Sequence, residues 1–175
     1  MKTVFLDRDG TVIVDPLDLR VDKAGKIKLF PDSIEALKYL ADHDFNVVFI
    51  TNQAGIAEGR LTEVEFWDIH SKVLDMLSPS GVQVLQTYMS PHGTDEVNEW
   101  RKPGPGMLLQ AAKDFNLDLS QIYMVGDSHS DVLAGINAGT KTILVKTANI
   151  NVEAPEADYV APNLLDAVQY IVTHS

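Results

Sequence analysis

Short apolar runs, 3-TVFL-6, 47-VVFI-50, 82-VQVLQTYM-89, 122-IYMV-125 and 142-TILV-145, alternate with segments of helical periodicity, and nothing else in the chain constrains its fold so strongly. Parallel strands need a crossover long enough to hold a helix, so this alternation predicts βαβ units rather than hairpins. The expected architecture is α/β and Rossmann-like, a parallel sheet with helices on both faces. A sixth short run is 159-YVA-161. Helices are predicted over 33–43, behind Pro31 and Asp32, and from Thr62 to about Leu77, where Thr62-Glu63-Val64-Glu65 reads as a capping box. Others run from about Pro105 to Phe115, from about Ser130 to Ala138 before Gly139, and over 164–174 with Asn163 as cap.

No repeat, low-complexity tract or linker divides the 175 residues, which suit one domain spanning 1–175. Two irregular stretches, 14–30 and 90–104, are long enough to suggest function. A net charge of −11 repels a phosphate backbone and argues against nucleic-acid binding, though not against a small anion neutralised by a metal. The absence of cysteine removes disulfides, thiolate metal sites and a cysteine nucleophile. The first residues are too quickly charged for a signal peptide, and no apolar run approaches the roughly 20 residues of a membrane helix. The expectation is a cytoplasmic protein without membrane contact.

Ligands of open α/β sheets bind beyond the carboxyl ends of the strands. There the chain places Asp7 and Asp9, then Thr51-Asn52-Gln53, then Arg101-Lys102-Pro103 before a helix, then Gly126-Asp127 with Asp131 four residues on. Singly, each is an ordinary turn or cap. Jointly, they gather carboxylates, a hydroxyl and a lysine at one sheet edge, and like charges there call for a hard cation such as Mg²⁺ bound by oxygen. A Walker-type phosphate loop, an EF-hand and a dinucleotide glycine fingerprint do not fit.

FLDRDGT, TNQAGI, RKPGPGM and VGDSHSD resemble, in order, the four motifs of the haloacid dehalogenase (HAD) phosphohydrolase superfamily. Within it the chain looks most like the heptose-1,7-bisphosphate phosphatases, with the histidinol-phosphate phosphatases second. Those enzymes lack a large cap domain and are commonly monomeric. The resemblance implies a phosphoric monoester hydrolase in which Asp7 attacks phosphorus and Asp9 is general acid and then base. Asp7, the backbone carbonyl of Asp9 and Asp127 would hold Mg²⁺. Thr51 and Lys102 would contact the transferring phosphoryl group, Asn52 the substrate side, and Arg101 a substrate oxygen or second phosphate. Asp131 would reach the metal through water, or serve as an acid at a helix N-terminus. An extended Asp-x-Asp spans about 6.6 Å at roughly 3.3 Å per residue, room for a phosphoryl group between nucleophile and acid.

Two departures bear on substrate. Relatives of this subfamily carry a zinc loop of the form Cys-x-His followed by Cys-x-Cys, where this chain has Ser90-Pro91-His92 and Asn98-Glu99-Trp100; one imidazole does not hold zinc, so no zinc is expected and Trp100 packing would hold the loop. Ser128 stands where the heptose enzymes tend to place lysine, and the adjacent His129 reads as a surface residue. A small phosphorylated metabolite is the expected partner. A non-catalytic phospho-ligand-binding relative and a phosphoacceptor like a response regulator are the competing classes.

Overall fold

The computed structural model describes residues 1–14, 27–96, 98–148 and 150–175, so most of the irregular 14–30 stretch lies outside the described residues. Six strands, β1 (Thr3–Leu6), β2 (Asn46–Asn52), β3 (Gln83–Ser90), β4 (Tyr123–Gly126), β5 (Lys141–Val145) and β6 (Tyr159–Ala161), form one sheet. Its order is β3-β2-β1-β4-β5-β6 and every pairing is parallel. The helices are α1 (Ser33–Asp42), α2 (Ala54–Ala57), α3 (Glu63–Leu77), α4 (Gly106–Phe115), α5 (His129–Ala138) and α6 (Leu164–Thr173).

Period-two alternation sorts the strands onto two cores. Val4, Leu6, Val47, Phe49 and Val125 face α1, α3 and α6. Phe5, Val48, Ile50 and Met124 face α4 and α5. With β1 central, both faces of its strand are covered, which is why Thr3–Leu6 is apolar throughout rather than alternating. The predicted α/β architecture holds, strand by strand.

The differences lie at element ends. β2 runs through Thr51 and Asn52, so these site candidates belong to the strand rather than to a loop after it. The four residues of α2 form a turn too short for apolar periodicity to announce. The box at Thr62 and the cap at Asn163 form as expected, through Thr62 Oγ1 with Glu65 and through Asn163 Oδ1 with the Asp166 amide. Among the described residues no helix is long and apolar enough to cross a membrane.

Candidate active site

The site candidates fall at the carboxyl edge of the sheet, and all but Thr51 line a cavity of about 270 Å³, Asp7, Asp9, Asn52, Arg101, Lys102 and Asp127 among them. β1 delivers Asp7 directly: its amide continues the ladder to Val125 O at 2.8 Å. The chain then turns sharply, with Val12 and Ile13 amides bonding back to Arg8 O and Gly10 bonding to Ile13 O. Gly10 lies at φ +84°, and a Cβ there would meet Asp127 Oδ2 at 2.4 Å. Glycine is therefore required both by the turn and by the approach of β4's terminal carboxylate.

Lys102 is the hub. It is 3% exposed, and its ammonium lies 2.9 Å from Asp7 Oδ1, 2.6 Å from Asp131 Oδ1 and 2.7 Å from Ile50 O. Burial alone would discharge it, but the Asp131 and Asp7 carboxylates outweigh that and hold its pKa above the ordinary lysine value. Asn52 fastens this lysine to β2. Its Nδ2 donates to Lys102 O at 3.0 Å and its Oδ1 accepts from Lys102 N at 3.1 Å. With both amide ends so engaged, Asn52 positions Lys102 in this structure. Thr51 is fully buried, and its Oγ1 accepts from Gln53 Nε2 at 3.1 Å.

Asp131 lies at the start of α5, as the second of its two sequence readings has it. Its Oδ2 accepts from Ser128 N at 3.0 Å and from Ser128 Oγ, completing the box that starts α5. Its Oδ1 points into the site; the 2.6 Å contact with Lys102 is an ion pair in distance but not a well-directed hydrogen bond, and this buried oxygen has no other hydrogen-bond partner among the described residues.

Asp7, Asp127 and Asp131 each bring one carboxylate oxygen within 4.8 Å of the others. Ligand oxygens on opposite sides of a Mg²⁺ shell at about 2.1 Å lie roughly 4 Å apart, so the cluster needs little adjustment. Burial and the charges of Asp131 and Asp127 push Asp7 well above the usual carboxylate range, against the pull of Lys102. Three carboxylates facing one ammonium leave an excess of negative charge that a divalent cation would neutralise. The donor set and the under-bonded Asp131 Oδ1 both fit a hard cation.

Asp9 stands apart from that cluster. Its carboxylate accepts from Arg8 Nε at 2.9 Å, from Arg8 Nη2 at 3.0 Å and from Gln53 Nε2. Arg8 and Gln53 carried no role in the sequence reading. An arginine between two aspartates invites assignment to solvent, yet Arg8 is 2% exposed and lies over the Phe66 ring at 4.7 Å. Arg101 lines the cavity and donates to His92 O at 3.0 Å; burial lowers its pKa, opposed by Glu58 and Glu96. His92 Nδ1 meets Glu96 Oε2 at 2.9 Å. The 90–104 segment is pinned by Trp100, whose Nε1 donates to Met89 O at 3.0 Å and whose ring meets Tyr88 edge-on. His129 is a half-exposed surface residue 3.2 Å from Glu156.

A family model for HAD-hydrolase-like proteins matches residues 99–167. The D-glycero-beta-D-manno-heptose-1,7-bisphosphate 7-phosphatase of Pasteurella multocida is 38% identical over 179 residues, covering 97% of this chain and 96% of its own. A histidine biosynthesis bifunctional protein of Spirosoma linguale is 35% identical over 150 residues, and this chain spans only 39% of its length. Among solved structures, the D,D-heptose 1,7-bisphosphate phosphatase of B. bronchiseptica, complexed with magnesium and phosphate, aligns with a TM-score of 0.90 at 33% identity and 100% coverage of both chains. Since the likeness takes in nearly the full length of the Pasteurella multocida enzyme and the whole fold of the B. bronchiseptica one, the chain belongs to the HAD-like phosphatase family.

Proposed function

We propose that this chain is a Mg²⁺-dependent phosphomonoesterase that works through an aspartyl-phosphate on Asp7, with a heptose 1,7-bisphosphate as its lead substrate. One observation carries the reading. A buried aspartate just past the central strand lies 2.9 Å from a buried lysine, beside two further carboxylates and lining a cavity.

Bound by Asp7, Asp127 and the backbone carbonyl of Asp9, with Asp131 close by, Mg²⁺ would offset the repulsion between an anionic nucleophile and an anionic phosphate. Asp7 attacks phosphorus, and the ester oxygen leaves as the alcohol. Lys102, held charged, neutralises the transferring phosphoryl oxygens, and the Thr51 hydroxyl donates a hydrogen bond to them. Asp9 protonates the leaving oxygen, then takes a proton from the water that hydrolyses the acyl-phosphate. Arg101 reaches a substrate oxygen or a second phosphate.

The heptose substrate is supported by the two heptose-bisphosphate phosphatases above, and Mg²⁺ by the complex of one of them. Histidinol phosphate is the second reading, supported by the match to the histidine-biosynthesis protein. The test is phosphate release with Mg²⁺ from a panel of sugar mono- and bisphosphates, histidinol phosphate and p-nitrophenyl phosphate. Turnover is expected, fastest on the heptose bisphosphate, and Asp7→Asn should abolish it. Failure of the protein to hydrolyse any of the panel would overturn the enzyme reading.

A further inference from the structure

Behind the acid/base candidate lies a buried polar chain that runs away from the cavity. Arg8 grips both oxygens of Asp9 with its Nε and Nη2, which leaves Nη1 free of that fork. Nη1 lies 3.5 Å from Nδ1 of His70, on α3. Nε2 of His70 lies 2.7 Å from Thr87 Oγ1, on β3. His70 is 3% exposed and stacks on Phe66 with an interplanar angle of 3°.

A guanidinium only donates, so Nδ1 must be the acceptor and Nε2 must carry the proton, which passes to Thr87 Oγ1 as a donated hydrogen bond. The tautomer is set by the arginine, which can only donate. The same Phe66 ring that stacks on His70 lies 4.7 Å below the Arg8 guanidinium, so both groups share one apolar platform. A buried guanidinium with a fixed fork has little freedom, and a carboxylate held bidentately by it has little more. Gln53 adds a third donor, on Asp9 Oδ2.

We propose that Arg8 and His70 are positioning residues, which act through the Thr87–His70–Arg8 chain to hold the Asp9 carboxylate where it transfers a proton to the leaving group. The proposal rests on the reading of Asp9 as acid/base. It separates these residues from a merely structural buried ion pair, because in the first step, release of the leaving group, misplacing Asp9 harms only substrates whose leaving group needs a proton.

The test compares single-turnover rates of alcohol or phenol release, with Mg²⁺, from the alkyl phosphate turned over fastest in the panel above and from p-nitrophenyl phosphate, whose phenolate leaves unaided. In His70→Phe, which keeps the stacking, and in Arg8→Met, the alkyl rate should fall about tenfold to a hundredfold, a part of the roughly 10²–10⁴ a positioned acid supplies. The aryl rate should stay within about threefold. His70→Asn, whose Oδ1 can stand in for Nδ1, should recover much of the loss. Thr87→Val, close to isosteric, serves as the variant safest for folding and should show the same selectivity in smaller degree. Equal losses on both substrates, or none on either, in Thr87→Val and His70→Phe would overturn the positioning role if Asp9→Asn itself discriminates. An Asp9→Asn variant without discrimination would remove the acid/base reading and this proposal together. A wild type inert on every ester would remove the enzyme reading first.

Discussion

Gly126 closes β4 at a point where an added Cβ would lie 2.3 Å from Asp131 Cγ, so the last strand residue must be bare for the carboxylate of α5 to reach Lys102. Gly126→Ala should therefore destabilise the fold by about 1–3 kcal/mol, the usual consequence of overpacking, and lower phosphatase activity more than tenfold; urea denaturation and phosphate release check the two separately. His70 offers a pH signature. Burial, helped by Arg8, takes its pKa from the ordinary 6.5 down to about 4. The unfolded chain binds the proton more readily, so this contribution is fully present above pH 6.5 and is lost as pH falls from 6.5 to about 4. The loss is no more than about 3 kcal/mol. Denaturation of wild type and His70→Phe across that window should show a shallower pH slope for the variant. Asp7 and Asp127 were legible in the sequence because each directly follows a strand that announces itself by its apolar pattern, and Lys102 because its motif resembles that of the HAD phosphatases. Arg8, His70 and Thr87 were not, because their contact joins positions 62 and 17 residues apart and depends on how α3 lies on the sheet.

At the scale of elements, the strands that carry the site are held to one another by side chains as well as by the ladder. The Asn52 amide joins the end of β2 to the backbone on which Lys102 rides. Asn52→Ala removes two hydrogen bonds, each contributing about 1 kcal/mol, and frees the lysine's loop. A fall in kcat with a modest loss of stability is expected in steady-state assays and thermal melts. By contrast, Thr62→Ala strips the box from α3 at the exposed end of the helix, and should cost about 1 kcal/mol with activity near wild type. The box was readable because its residues are neighbours in sequence. The polar ending of β2 was not, since Thr51, Asn52 and Gln53 look like a loop until pairing with Met89 and Ser90 is known. Trp100 was readable as the fastening of the 90–104 segment because the zinc ligands expected there are missing and a large ring stands in their place.

For the whole molecule, the acidic excess at the sheet edge is charge that a bound cation would neutralise. Mg²⁺ should raise the melting temperature, by the equivalent of about 2.7 kcal/mol at a hundredfold excess over Kd. A chelator should reverse the shift, and Asp127→Asn should weaken it strongly; calorimetry with and without the ion provides the measurement. The sheet order was not legible beyond its class, because parallel strands joined by helices can be wound in several sequences that share one pattern of apolar runs. That order has a consequence for how the protein comes into being. β1 is the middle of the sheet and precedes both of its partners in the chain, at 46–52 and 123–126. A growing polypeptide on the ribosome thus carries an apolar ribbon with one open margin until β4 emerges, a stretch of synthesis in which mispairing and chaperone capture compete with folding.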